Sequence, residues 1–598
     1  MNRNPSATPV SVAIALALPL LALALAGAAT APAPASQVAT PGSAPPPVPA
    51  SPGNLRTGTA PRVTPLGELP DIDAARLLPG ITTLASDAFE GRLPGTKGEE
   101  ATVAWLVEQF ATMGLKPGNT DGTFLQAVPL VGATPRATRP LTFTQEGAAT
   151  PLRWREDYVA WTPRALERVA LDASDLVFVG YGVEAPEFDW DDYKGLDVAG
   201  KTLVMLVNDP PVTDPANPAR LDPGVFGGRA MTYYGRWTYK YEIGAAKKAA
   251  AVLIVHEAGP AGYPWGVVQG FGDERFSLRT PGKDENRLAI EGWITLETAR
   301  ALFAKAGHDY DALKKRAATR DFSPVPLGAS AAVAIESALR EVDSRNVVAR
   351  LDGSDPKLRD EYVVYTSHWD HLGVGQPVDG DRIYNGAVDN ATGTVGLVEI
   401  ARAFTKLPVA PRRSILFLAV TAEEQGLRGS EYYATHPIHP LEKTLANINI
   451  DAMNVHGRTK DLTVVGYGAS DLDDVARQVA GEQGRALQPE AEPEKGSYYR
   501  SDHFNFARQG VPAFYGKGGD QFVGKPADHG KRTRDAYSEK RYHKPQDEVQ
   551  PDWDLGGMAE DLKLLLGVGY RVAQGDTWPQ WKPGNEFKAK RDEMLRRR

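Results

Sequence analysis

The spacing of hydrophobic residues changes twice along the chain, and each change predicts a different kind of structure. The segments "ARLLPGITTLAS" and "EEATVAWLVEQFATMGL" repeat apolar residues at helical spacing, and the second ends at Gly114, a typical helix stop. Between about Asp172 and Leu327, short apolar runs such as "LVFVGYGV" and "AAVLIVHEA" flank a helical pattern. This stretch predicts a self-contained α+β module.

From Asn346 onward, strand and helix patterns alternate. The runs "EYVVYTSH" and "RSILFLAVTA" are apolar at nearly every position, as strands buried on both faces of a sheet are. The helical pattern "GTVGLVEIARAFTKL" lies between them, and "NINIDAMN", "DLTVVGYG" and "VPAFYGKG" continue the series. The sequence therefore predicts an α/β fold: a mixed, mostly parallel sheet sandwiched by helices, with the smaller α+β module inserted.

The first thirty residues predict an export signal. Arg3 is their only charged residue, and it precedes the apolar run "VSVAIALALPLLALALAGAA" and a stretch of small residues. A membrane anchor is the alternative, but Pro19 interrupts the run and its apolar part is marginal for a span. No later segment is long and apolar enough to cross a bilayer, so we expect a periplasmic or extracellular protein without stable membrane insertion.

The amino-acid composition limits the partners and the metal ligands that the protein can have. The 598 residues carry a net charge of −8, which argues against a nucleic-acid partner, since such proteins show a basic patch. The chain has no cysteine, which excludes disulfides, thiolate metal ligands and cysteine nucleophiles. Any transition metal must therefore be held by His, Asp and Glu.

Polar residues follow the predicted strands at the points where the strands end. They are His368 after "YVVYTS", Asp389 in "NGAVDNATG", Glu423 and Glu424 after "ILFLAVTA", Asp451 after "NINI", and His543 in "RYHKPQDE". Ligand sites of open α/β sheets lie beyond the carboxyl ends of strands, and imidazole with carboxylate suits zinc. With the Glu pair counted as one of five positions, three carboxylates beside two histidines carry more charge than one zinc needs, which favours two ions sharing a bridging carboxylate.

Each residue alone also has an ordinary structural explanation. The chain has ten histidines, and any one is more often a surface or core residue than a ligand. Asp389 could cap a helix, Asp451 could end a strand in a turn, and the Glu pair could begin a helix. Five such coincidences at strand ends are much less probable than a metal site.

These motifs resemble the M28 zinc aminopeptidases. The matching pieces are "SHWDHLG", "NGAVDNATGT", "TAEEQGLRGS", "NINIDAM", "SDHFNF" and "YHKPQDE", in the family's order. The middle module, with "FVGYGVEAPEFDWDDYKGLDVAGKTLVML", resembles the protease-associated (PA) domain that many members carry. We therefore expect a signal peptide at 1–30, a Pro/Ala-rich linker at 31–65, the peptidase domain at 66–170 and 331–598, and the PA insert at 171–330.

The resemblance also implies roles. His368 and Asp451 would bind one zinc, Glu424 and His543 the second, and Asp389, with a cis bond to Asn390, would bridge them. Glu423 would be the general base, Asp370 would orient His368, Tyr542 would donate to the oxyanion, and Arg500 would contact substrate. His371 is an additional histidine beside the first ligand, and His503 is expected to have a supporting or structural role.

The leading hypothesis is an exported di-zinc aminopeptidase acting on peptides. A carboxypeptidase of the same fold is the nearest alternative, because the metal ligands do not separate the two. A receptor-like protein that has lost its metals is less favoured, since every ligand position is filled. A glutaminyl cyclase is ranked last, because it usually lacks a PA insert.

Overall fold

The computed structural model describes residues 63–279, 282 and 286–596. The predicted signal peptide (1–30) and linker (31–65) lie outside the described residues, apart from 63–65. In the described part of the chain, no helix has the length and apolar character needed to cross a bilayer.

The elements alternate as the sequence pattern predicts. The strands are β1 (Lys116–Pro117), β2 (Leu125–Gln145), β3 (Ala148–Pro151), β4 (Tyr158–Trp161), β5 (Arg168–Phe178), β6 (Glu184–Ala185), β7 (Trp190–Asp191), β8 (Thr202–Leu206), β9 (Thr213–Asp214), β10 (Asn217–Leu221), β11 (Ala251–His256), β12 (Arg275–Leu278), β13 (Ile290–Thr295), β14 (Val325–Leu351), β15 (Tyr362–His368), β16 (Gly373–Val378), β17 (Asp381–Tyr384), β18 (Ser414–Val420), β19 (Thr444–Asn449), β20 (Asp461–Val465), β21 (Ala486–Pro489) and β22 (Ala513–Gly518). The helices are α1 (Ala74–Leu84), α2 (Lys97–Thr112), α3 (Trp237–Ala246), α4 (Ala258–Ala261), α5 (Trp265–Gln269), α6 (Leu296–Lys305), α7 (Tyr310–Ala317), α8 (Gly393–Thr405), α9 (Arg428–Thr435), α10 (Leu472–Glu482), α11 (His503–Arg508), α12 (His529–Lys540), α13 (Gly556–Gln574) and α14 (Lys588–Arg596).

The main sheet confirms the predicted α/β fold. Its strands run in the order β21-β20-β22-β19-β15-β18-β14 and continue through β5-β8-β11-β13-β4. The central neighbours β18, β15, β19 and β22 are parallel, whereas β14 is antiparallel to β18 and β20 is antiparallel to β22. Helix α8 connects β15 to β18, which is the predicted βαβ unit. A mixed, mostly parallel sheet flanked by helices results.

The main core fills one face of this sheet. Apolar residues of α1, α2, α8 and α13, including Ile81, Phe110, Leu397 and Leu565, pack with Phe417 of β18. All five are fully buried. The two N-terminal helices form where the apolar spacing predicts them, and Gly114, with φ +76°, follows the end of α2. This packing fixes the strands whose ends carry the predicted site.

A second lobe has its own hydrophobic interior. Its residues come from between Leu141 and Ile335, and they cover both faces of β5, β8, β11 and β13. The long strands β2 and β14 pair antiparallel from Leu125↔Val347 to Gln145↔Ala329. Because β14 supplies residues to both interiors, one continuous ribbon joins the second lobe to the main sheet.

Candidate metal centre

The ends of three neighbouring strands bring together the residues singled out by the sequence. His368 is the last residue of β15, Glu423 and Glu424 follow β18, and Asp451 lies two residues beyond β19. The three strands are parallel neighbours, so their carboxyl ends meet at one edge of the sheet. All four side chains are almost fully enclosed there.

Asp389 reaches the same edge from the turn that opens α8. Its peptide bond to Asn390 is cis, as the family resemblance implies. The Asn390 side chain donates to Ser367 Oγ and to the main-chain oxygen of His368, at 3.1 and 3.2 Å. It also accepts from the backbone N–H of Ala452 at 3.1 Å. One amide therefore ties the turn to the ends of β15 and β19.

The two carboxylate oxygens of Asp389 face two different histidines. Its Oδ1 lies 3.4 Å from His368 Nε2, and its Oδ2 lies 3.4 Å from His543 Nε2. His543 lies in the segment that follows α12. His368 Nε2 is also 3.4 Å from Asp451 Oδ1, and His543 Nε2 is 3.1 Å from Glu424 Oε2. The five predicted ligands thus form two groups that share one carboxylate.

The electrostatics of these groups fit a cation. Burial alone raises the pKa of Glu424, but His543 and His371 outweigh it and hold that pKa at about 2. Burial likewise opposes ionisation of Asp389, yet hydrogen bonds to His368 and His543 hold its pKa well below the usual range. The neighbouring histidines therefore favour the ionised form of these buried carboxylates, and zinc is a cation that His and carboxylate ligands can hold.

His371 lies beside the second group. Its Nδ1 is 2.7 Å from Glu424 Oε1, and it could form a metal-binding trio with Asp389 and Glu424. Its buried Nε2 has no hydrogen-bond partner among the described residues. His368, in contrast, lies with Asp389 and Asp451, where the sequence analysis placed it.

Asp370 contacts the two glutamates as well as His368. Its Oδ1 accepts from the backbone N–H of Glu423 at 3.0 Å, and its Oδ2 accepts from that of Glu424 at 3.3 Å. His368 Nδ1 lies 3.2 Å from the main-chain oxygen of Asp370 and 3.8 Å from its carboxylate. Asp370 therefore supports the β15 end and the Glu423–Glu424 turn together.

Residues 346–566 match the family model described as Peptidase family M28. The chain carries an M28 peptidase domain. It spans β15 to β22 and contains all five predicted ligands together with Glu423.

Comparison with individual proteins covers shorter or more distant stretches. Aminopeptidase NAALADL1 of Mus musculus is 35% identical over 132 residues, which is 21% of this chain and 16% of that protein. A probable zinc metalloprotease of Pyrenophora teres f. teres is 34% identical over 110 residues, 18% of this chain and 23% of that protein. The chain thus aligns with under a quarter of either relative.

A solved structure extends the likeness to most of the fold. The aminopeptidase from Aneurinibacillus sp. strain AM-1 superposes with a TM-score of 0.50 at 18% identity. The match covers 85% of this chain and 96% of that one. At this identity the likeness concerns the fold of the M28 domain and its second lobe.

Arg92 is a buried residue of the site that sequence reasoning missed. It donates to the main-chain oxygens of Trp369, Asn385 and Gly386 at 2.9, 2.6 and 2.8 Å. Burial lowers its pKa to about 10, although Asp370 and other nearby carboxylates oppose the effect. Nothing in the local sequence marks this arginine, because the three site carbonyls that it binds lie 277 to 294 positions further along the chain.

Two further supporting residues belong to motifs that the sequence analysis quoted without assigning them. Asp547, in "YHKPQDE", accepts from the backbone N–H groups of Val388 and Asp389 at 3.1 and 3.0 Å. Ser501, in "SDHFNF", donates to Asp451 Oδ2 at 2.6 Å. Each of these residues holds a predicted ligand of the M28 domain in place. Their presence in the quoted motifs was the feature of the sequence that could have identified them.

The predicted substrate residues lie together at the edge of the centre. Arg500 Nη2 donates to the Tyr542 hydroxyl oxygen at 3.0 Å, and the Tyr542 ring stacks on His543 at 3.9 Å between centroids. The Arg500 guanidinium also lies 5.3 Å from the ring centre of Tyr263, in the second lobe. The second lobe therefore contributes to the rim of the predicted metal centre.

His503 has no polar contact among the described residues. Its ring lies against Tyr498 and Tyr515, at 4.7 and 5.0 Å between centroids, and neither ring nitrogen has a hydrogen-bond partner there. Burial lowers its pKa from the ordinary 6.5 to about 3. The residue therefore packs as a neutral aromatic side chain.

This burial predicts an acid sensitivity. A pKa that is lower in the folded state gives stability that is present above pH 6.5 and is lost as the pH falls towards 3. When the pH is lowered from 6.5 to about 4.5, the unfolding free energy of both proteins should fall. We expect it to fall by about 2–3 kcal/mol less in His503→Phe than in the wild type. Denaturant unfolding at both pH values measures the difference, and equal losses in the two proteins would contradict the assignment.

Proposed function

We propose that this protein is an exported metallo-aminopeptidase that removes N-terminal residues from peptides with two zinc ions. One ion would be held by His368 and Asp451, the other by Glu424 and His543, with Asp389 shared. The observation that carries this proposal is the placement of the two Asp389 oxygens, each 3.4 Å from a different histidine. A carboxylate that serves two ligand groups is the arrangement a two-metal hydrolase needs.

Glu423 is positioned to move the proton. Burial raises the pKa of Glu423 well above its usual range, with His368 opposing the effect. A buried carboxyl group whose pKa is raised accepts a proton more readily than an exposed glutamate and can release it later in the cycle. Glu423 would take the proton from the attacking water and pass it to the leaving amine nitrogen.

Other residues would orient the substrate. Zinc, when bound, supplies Lewis acidity that polarises the scissile carbonyl and lowers the pKa of a water molecule towards neutrality. The Tyr542 oxygen accepts from Arg500, so its own O–H remains able to donate to the carbonyl oxygen of the scissile bond. Asp370 would keep the Glu423 backbone in place through its 3.0 Å hydrogen bond.

We also propose that the second lobe is a PA domain inserted into the peptidase domain, with the predicted insert boundaries of 171 and 330. Its separate hydrophobic interior supports an inserted lobe, although that interior also takes residues from Leu141 to Val169, before the predicted boundary. Export rests on the signal-like pattern of residues 1–30.

A carboxypeptidase of the same fold is the second candidate, and one observation favours it. Arg500 and Arg236 form no salt bridge with a carboxylate of the described residues, although both side chains are half-buried. Burial lowers the pKa of Arg236 to about 10, and the positive charge of Arg500 adds to the effect. A substrate with a free terminal carboxylate would neutralise them.

The two candidates predict opposite substrate preferences. We expect residues 31–598, loaded with zinc, to hydrolyse aminoacyl-nitroanilides and to leave N-blocked peptides with a free C-terminus intact. Rates on both substrate types, together with zinc content per chain, provide the measurement. Cleavage of the blocked peptides alone would favour the carboxypeptidase, and absence of both zinc and hydrolysis would favour the inactive binding protein.

A further inference from the structure

The turn that carries Glu423 is contacted by a strand of the second lobe. The turn runs from residue 421 to 427, between β18 and α9. Its Gln425 side chain accepts a hydrogen bond from the backbone N–H of Phe276, in β12, at 3.3 Å. Both residues are buried, so water does not compete for this hydrogen bond.

Phe276 also packs beneath the same turn. It forms a small hydrophobic cluster with Ala422 of the turn, Val128 and Leu130 of β2, and Val342 of β14. Ala422 has a φ of +52° and immediately precedes Glu423. Left-handed backbone at an alanine persists only where its surroundings hold it, and the cluster lies against this residue.

Strand β12 is itself firmly held. It pairs antiparallel with β2, with Phe276 opposite Gly132. Arg340 of β14 lies 5.2 Å from the Phe276 ring centre and forms two hydrogen bonds with Glu274, at 2.6 and 2.9 Å. A Cβ at Gly132 would approach Glu274 Oε1 to 2.4 Å, so the glycine permits this close packing.

The turn is therefore held from two sides. Asp370 binds the backbone N–H groups of Glu423 and Glu424, and β12 contacts the adjoining residues Ala422 and Gln425. The first contact belongs to the peptidase domain, whereas the second comes from the inserted lobe. Removing either would leave the Glu423 backbone fixed on one side only.

We propose that Gln425 and Phe276 are positioning residues for the general base, and we call this pair the β12 brace. The brace makes the second lobe part of the catalytic arrangement, since it holds the turn from which Glu423 projects. This proposal rests on the proposed function of Glu423. A displacement of about 1 Å in a catalytic group can cost 10²-fold in rate, so loss of the brace has a measurable effect.

Gln425→Met tests the brace, because methionine keeps the length of the side chain and removes the accepting oxygen. We expect kcat to fall by roughly 10-fold or more, with KM and zinc content equal to the wild type. The matched control is Gln145→Met, since the Gln145 side chain likewise makes a single hydrogen bond to the main chain, in which its Nε2 donates to the oxygen of Leu327 at 3.0 Å. The control should keep the wild-type kcat.

Hydrogen exchange provides a readout that does not depend on activity. The backbone N–H groups of residues 426, 427 and 428 donate within the turn to Glu423 and Ala422. These N–H groups should exchange faster in zinc-loaded Gln425→Met than in the wild type and in Gln145→Met. Phe276→Leu should give the same acceleration, and it replaces Gln425→Met if that variant fails to fold.

The outcomes separate the brace from the function on which it rests. Wild-type kcat and wild-type exchange in the turn, in either brace variant, would overturn the proposal. A lower melting temperature with unchanged kcat would also overturn it, because it indicates a structural contact only. If the wild type hydrolyses no peptide, the proposed function fails, whereas faster exchange in the variants would still support the brace as the element that holds the turn.

Discussion

Glu423→Ala is expected to lower kcat by about 10²–10⁴-fold or more, because a positioned proton shuttle contributes that much. Zinc content should match the wild type, since the predicted ligands His368, Asp389, Glu424, Asp451 and His543 are all retained. Metal analysis and steady-state kinetics on the same preparation measure both quantities.

Glu442→Ala is the matched control for this variant. Glu442 lies two residues before β19, at the end of that strand opposite the metal centre, and is partly exposed. Its replacement should leave kcat and zinc content unchanged. Near-normal activity in zinc-loaded Glu423→Ala would show that Glu423 is not the general base. Another residue would then have to transfer the proton.

Asp389→Ala should lose both activity and metal. Its two oxygens face His368 and His543, so the substitution removes a ligand from each of the two groups at once. We expect less than two equivalents of zinc per chain after dialysis, with activity reduced by at least the factor expected for Glu423→Ala. Zinc titration followed by metal analysis gives the measurement.

Asp576→Ala provides the comparison. Asp576 is an exposed carboxylate that pairs with Arg412 at 2.6 Å, and exposed pairs contribute little to stability. This variant should retain the zinc content and activity of the wild type. Two equivalents of tightly bound zinc in Asp389→Ala would contradict a bridging role.

Local sequence pattern was sufficient to predict the sheet and to bring the candidate ligands to one edge of it. Continuous apolar runs mark β15, β18 and β19, and parallel strands place their carboxyl ends side by side. His368, Glu424 and Asp451 could therefore be grouped without knowledge of tertiary contacts. Their roles as ligands stay predictions until metal binding is measured.

Supporting contacts were not predictable in the same way. Arg92 and Trp369 are 277 positions apart, and the Gln425–Phe276 hydrogen bond joins residues 149 positions apart. Such contacts depend on how distant parts of the chain pack together, and the local spacing of apolar residues does not predict them. The long strands β2 and β14 were also missed, because their alanine, serine and charged residues give no regular apolar alternation.

The ribbon formed by β2 and β14 has a consequence for engineering. Modules that are joined by short loops can be exchanged between homologous proteins as cassettes, with the cuts made in the loops. Here the paired register from Leu125↔Val347 to Gln145↔Ala329 runs without interruption by a loop between the two hydrophobic interiors. A chimaera that receives a foreign second lobe must therefore receive both ribbon strands from the same donor, together with β12, whose register on β2 places Phe276.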